Sequence, residues 1–233
     1  MNKQHTDLLD HLKALYGTDT AVSLHPRLLN TIERYRSLSP EPKSTELTEE
    51  TAVLITYGDQ VQEEGMPPLR RLAAFAERYL QGKISTIHLL PFYPYSSDDG
   101  FSVIDYKSVD GNLGTWLDID AVGEKFQLMF DAVINHISAQ SKWFQGFLAD
   151  HPRYRNFFTV VAPDTDLSDV FRPRALPLLT EVETAVGTKH VWSTFSDDQI
   201  DLNYRNPEVL LAIIGLLLFY ITRGAELIRL DAI

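Results

Sequence analysis

Arg229 and Asp231 stand two residues apart at the end of an apolar run, Leu227-Ile228-Arg229-Leu230-Asp231. Residues i and i+2 of a strand point to the same face, so the guanidinium and the carboxylate become neighbours. A neighbouring cation favours the ionised carboxylate. An ionised carboxylate fixed at a strand end can attack an electrophilic carbon. Asp231 is therefore a candidate nucleophile, and Arg229 the group that keeps it charged.

Other residues could meet a ligand. Asn135 and His136 close the run Asp131-Ala-Val-Ile-Asn-His. They can hydrogen-bond the hydroxyls of a neutral ligand or simply brace a loop. Asp131, inside the run, is expected to orient Arg229 or satisfy backbone donors rather than do chemistry. In the segment 88–106, aromatics (Phe92, Tyr93, Tyr95, Phe101, Tyr106) alternate with Asp98, Asp99 and Asp105. Flat apolar rings beside acids suit a sugar, although a solvated loop pinned by core aromatics has the same composition. Arg172-Pro173-Arg174 holds two guanidinium groups around a rigid proline, a fork that fits phosphate or carboxylate or stays solvated. Phe195 and Gln199 offer an aromatic face and an amide, to a ligand or to a packed return loop. The seven histidines show no metal-ligand spacing, there is no Gly-x-Ser-x-Gly elbow, and no glycine-rich phosphate loop occurs. No metal and no cofactor are expected.

The elements that must position these residues alternate. Strand-like runs at 52–57, 84–92, 128–134 and 227–230 are separated by helical patterns at 68–80, near 118–126 and at 208–222. Strand–helix alternation implies parallel βα units. Four such units, with an excursion over 138–204 after the third strand, fit half of an eight-stranded barrel or a small doubly wound sheet. Residues 5–37 read as two short helices around His25-Pro26, and residues 39–50 as a polar linker.

Composition narrows the partners. The 233 residues carry 32 acidic and 21 basic side chains, net −11. That opposes nucleic acid and anionic membrane surfaces. Without cysteine there are no disulfides or thiol nucleophiles. The apolar helix at 208–222 is too short for a membrane span. A cytoplasmic protein is expected.

The motifs LITYGD (54–59), HLLPFYPYSSDDGFSVIDY (88–106), DAVINH (131–136), FRPRALP (171–177), FSDDQIDLNYRNPEVL (195–210) and IRLDA (228–232) resemble the sucrose-phosphorylase group of the α-amylase superfamily. Within that group they are most similar to the branch that cleaves glucosylglycerate. The resemblance implies an α/β fold, the N-terminal half of a (β/α)8 TIM barrel with an inserted B domain after strand 3. It divides the chain into a helical extension (1–48), barrel strands 1–3 (49–137), the B domain (138–204) and the barrel continuation (205–233). It implies an enzyme, a retaining phosphorylase that transfers glucose from an α-glucoside, glucosylglycerate ahead of sucrose, to inorganic phosphate. Asp231 would be the nucleophile and Arg229 its partner. Asp98 and His136 would grip glucose with Asn135 beside them. Phe195 and Gln199 would line the acceptor side, and Arg172 or Arg174 would meet phosphate or a glycerate carboxylate. Phosphate enters as co-substrate, with no cofactor and no calcium. The family's general acid follows its fifth strand, beyond Ile233, so the chain alone is expected to be an inactive part of the enzyme. Two other readings remain: a hydrolase of the same superfamily, and a non-catalytic sugar-binding half barrel.

Overall fold

The computed structural model describes residues 3–41 and 47–233. In chain order the elements are α1 (Lys3–Tyr16), α2 (Thr18–Arg36), β1 (Val53–Thr56), α3 (Pro68–Leu80), β2 (Thr86–Leu89), α4 (Trp116–Gly123), β3 (Gln127–Val133), β4 (His136–Ser138), α5 (Lys142–Leu148), β5 (Leu179–Thr184), β6 (Gly187–Trp192), β7 (Gln199–Asp201), α6 (Pro207–Thr222) and β8 (Ala225–Asp231). The main sheet is parallel, in the order β1-β2-β3-β8. The strands of this sheet neighbour one another in chain order and each crossover carries a helix, as in part of a (β/α)8 barrel, with loops gathered at the C-terminal strand ends.

Local chemistry explains the helices. In α3, Pro68 occupies the first turn and Leu69, Leu72 and Ala76 form the buried face. Burying each leucine contributes about 1.5–3 kcal/mol. In α4, Asp118 accepts from the amide and the hydroxyl of Thr115, both at 2.9 Å, which ties down the first turn. The Asn206 side chain caps α6 by accepting from the Glu208 amide at 3.1 Å.

Helix α6 is apolar nearly all round because it is covered on two sides. Val209, Ile213, Leu216 and Tyr220 face the barrel core. Leu210, Leu211 and Ile214 pack on a second cluster formed by Leu12, Ala21, Leu24 and Leu28 of α1 and α2. Arg27 closes this seam from outside with two hydrogen bonds to Glu208, at 2.6 and 2.7 Å.

The sequence reading of the N-terminal helices needs correction. They meet at Gly17, not at His25-Pro26. Gly17 takes a φ of +77°, which glycine tolerates and which turns the chain. Pro26 lies inside α2. The buried Leu24 and Leu28 flank it, and their packing outweighs the lost backbone hydrogen bond. Smaller differences of one to three residues occur at the ends of β1, β2, α4, β3, α6 and β8. The linker expected over 39–50 lies partly outside the described residues.

The segment after β3 builds its own layer. Strand β4 pairs antiparallel with β7, and β5 with β6. Phe144, Phe147, Phe157 and Phe158 fill the space beneath them. This inserted segment returns Phe195 and Gln199 to the mouth of the barrel.

Candidate active site

Parallel pairing of β3 and β8 sets Asp131 beside Arg229 and Val133 beside Asp231. Asp131 is fully buried. One of its carboxylate oxygens accepts from Arg229 Nη1, and the other lies 2.7 Å from His88 Nε2 on β2. The second terminal nitrogen of Arg229 reaches Asp231 Oδ1 at 2.8 Å. One guanidinium thus bridges a buried carboxylate and the carboxylate at the strand end. The hydrogen bond that Arg229 donates to Asp131, with the two neighbouring carboxylates, holds Arg229 above its ordinary pKa against some desolvation. Of the two placements expected for Asp131, beside Arg229 or among backbone donors, its side chain takes the first.

Asp231 faces a cavity of about 520 Å³ at the C-terminal ends of the strands. The cavity is lined by Tyr57, Asp98, Asp99, Phe101, His136, Arg174, Phe195, Gln199, Asp231 and Ala232. Seven residues were singled out as ligand contacts from sequence, and five of them meet here. Asn135 sits just behind, its amide 3.4 Å from His136 Nδ1. Arg172 is exposed and does not line the cavity.

The polar groups interlock. Gln199 Nε2 donates to Asp98 Oδ2 at 2.9 Å and lies 3.1 Å from His136 Nε2. With Nε2 protonated, His136 donates to the Phe101 carbonyl at 2.9 Å. Burial pushes the His136 pKa down, against smaller upward pulls from that carbonyl and nearby carboxylates, so the ring is neutral at pH 7. Arg174 donates to both oxygens of Asp98, at 3.1 and 3.0 Å, and its guanidinium lies 5.6 Å from the centroid of Phe195. Phe195 in turn contacts the His136 ring, centroids 5.1 Å apart.

Asp98 is held in an unusual turn. Asp98 and Asp99 take φ values of +56° and +50°, each costing of order 1–3 kcal/mol for a non-glycine residue. Gly100 follows at φ +100°, and a Cβ there would sit 2.9 Å from the Pro91 carbonyl oxygen. Within the turn, Phe101 N donates to the Asp98 carbonyl at 2.9 Å.

Asp99 and Phe101, noted from sequence only as part of the aromatic and acidic segment 88–106, also line the cavity, and so does Tyr57. Tyr57 lies one residue past β1, where barrel loops begin. Position alone was its signal, and position needs the barrel to be known.

Residues 78–233 match the alpha-amylase catalytic domain family. The chain belongs to the alpha-amylase family. Among family relatives it is 54% identical to the glucosylglycerate phosphorylase of Allomeiothermus silvanus over 97% of this chain and 40% of that protein. It is 34% identical to the sucrose phosphorylase of Streptococcus mutans over 77% of this chain and 39% of that protein. The fold superposes on the crystal structure of sucrose 6F-phosphate phosphorylase from Thermoanaerobacter thermosaccharolyticum with a TM-score of 0.72 at 27% identity, covering 81% of this chain and 41% of that one. The chain spans about two fifths of the length of the curated relatives it matches. No helix among the described residues is long and apolar enough to cross a membrane.

Proposed function

We propose that the protein containing this chain is a retaining α-glucoside phosphorylase, with glucosylglycerate as its glucosyl donor. The observation that carries this reading is the placement of Asp231 on the cavity, 2.8 Å from Arg229. The choice of donor is supported by the higher identity to a glucosylglycerate phosphorylase than to a sucrose phosphorylase.

In the first step an Asp231 carboxylate oxygen attacks the anomeric carbon. The bond from that carbon to the aglycone oxygen breaks, and the leaving oxygen takes a proton from a general acid supplied by chain outside these residues. Arg229 pairs with the Asp231 carboxylate before attack and meets it again when it leaves. In the second step a phosphate oxygen attacks the same carbon from the opposite face of the ester and expels Asp231, while the phosphate proton returns to the conjugate base of that general acid. Two inversions give α-glucose 1-phosphate with net retention. Asp98 and His136 hold the glucose hydroxyls, with Asn135 bracing the imidazole. The ring of Phe195 and the amide of Gln199 face the acceptor. Arg174 meets phosphate or the glycerate carboxylate, since a guanidinium pairs with either through two parallel hydrogen bonds. Phosphate is a co-substrate, and no metal or organic cofactor takes part.

The test is an assay of the full-length protein on glucosylglycerate with and without inorganic phosphate. Phosphate-dependent release of α-glucose 1-phosphate is expected. Free glucose at a rate indifferent to phosphate would replace this reading with hydrolysis.

A further inference from the structure

Asp198 stands outside the cavity lining yet gathers more side-chain hydroxyls than any group within it. Ser96 Oγ and Ser97 Oγ each donate to Asp198 Oδ2 at 2.5 Å, and Ser102 Oγ donates to the same oxygen at 2.7 Å. Ser138 Oγ reaches the other oxygen at 3.2 Å. The Asp198 backbone carbonyl accepts from Ala139 N at 2.8 Å and from Ser102 Oγ at 3.2 Å. One residue thus joins three separate stretches: the loop after β2, the strand β4 and the turn leading into β7.

The three nearest serines bracket the turn that carries Asp98. Ser96 and Ser97 precede it and Ser102 follows it. Ser97 is fully extended, at φ −160° and ψ −177°, and the chain then enters two successive left-handed aspartates. Such backbone persists only where the surroundings over-determine it. A single carboxylate that clamps both ends does so, and its four donors favour its ionised form over the cost of its partial burial.

We propose that Asp198 is a positioning residue, which sets the carboxylate of Asp98 against the glucosyl unit of the substrate by clamping the serines on either side of its turn. The inference rests on the reading that Asp98 grips glucose. Asp198 touches no reacting atom. It acts through Ser96, Ser97 and Ser102.

The experiment compares Asp198→Asn, Ser97→Ala and Ser97→Thr in the full-length protein. Asp198→Asn should raise KM for the glucoside by about tenfold, with KM for phosphate within about twofold of wild type. Ser97→Ala should move the same constant in the same direction. Ser97→Thr keeps the hydroxyl on an extended residue that accepts a β-branched side chain, and should restore the wild-type value. If Asp198→Asn does not fold, the two Ser97 variants decide alone. Unchanged glucoside KM in Ser97→Ala, or equal losses toward glucoside and phosphate, would overturn the inference. If the wild-type protein forms no glucose 1-phosphate, the phosphorylase reading fails by itself. Calorimetric binding of D-glucose then tests the clamp: weaker binding by Ser97→Ala than by Ser97→Thr supports it, and equal binding overturns it.

Discussion

Arg174 reaches across the cavity from the inserted segment and pairs with Asp98, one guanidinium nitrogen lying 3.1 and 3.0 Å from the two carboxylate oxygens. The group read as the phosphate contact therefore rests, in the free protein, on the group read as the glucose contact. On the proposed reading, glucose hydroxyls and Arg174 would compete for the same oxygens.

Arg174→Ala follows directly. Phosphate should bind about tenfold more weakly, while KM for the glucoside stays constant or falls because Asp98 loses its internal partner. Steady-state kinetics with each substrate varied in turn separates the two. Equal damage to both would assign Arg174 a structural role instead.

Asp231→Asn should lower turnover by roughly 10⁴-fold or more, since the amide cannot form the glucosyl ester. The fold should survive, because Arg229 keeps its bond to Asp131. Rate measurement paired with circular dichroism checks this. A variant that retains turnover would remove Asp231 from the nucleophile's role.

Asp131→Ala should be costlier to stability than to any single binding step. It removes the buried partner of both Arg229 and His88. Deleting one member of a buried pair costs about 3–5 kcal/mol, and the low end applies because the Arg229 side chain is 42% exposed. Urea unfolding of the full-length protein would show a lowered midpoint. An unchanged midpoint would mean that solvent replaces the carboxylate at no cost.

Burial of His136 gives a pH dependence of defined sign. Its folded pKa lies below the ordinary value of 6.5, so the folded state binds fewer protons than the unfolded state between those two pKa values. Stability contributed by the neutral ring is present above 6.5 and is lost as pH falls toward the folded pKa. Wild type should therefore destabilise faster than His136→Asn as pH drops below 6.5. Parallel unfolding curves across that window would contradict the assignment of a buried neutral imidazole.

Several features were legible from residue order alone because they depend on local chemistry. Alternating apolar runs and amphipathic stretches marked the four strands and the helices α3, α4 and α6. The i, i+2 spacing placed Arg229 beside Asp231, since strand geometry repeats every two residues whatever surrounds it. Net charge and the absence of cysteine narrowed the chemistry in the same way.

What needed the tertiary structure was every relationship between residues distant in the chain. His88, Asp131 and Arg229 join only because β2, β3 and β8 lie side by side in register. Asp198 meets Ser96, Ser97 and Ser102 about a hundred residues away, and no periodicity signals such a meeting. The N-terminal helices turn at Gly17 rather than at Pro26, because the buried neighbours of Pro26 keep α2 continuous. Arg172 and Arg174 look equivalent on either side of Pro173, yet only Arg174 lines the cavity. Sequence determined which groups could do the chemistry. Packing decided which of them face one another, because long-range contacts are set by how whole elements bury their apolar surface.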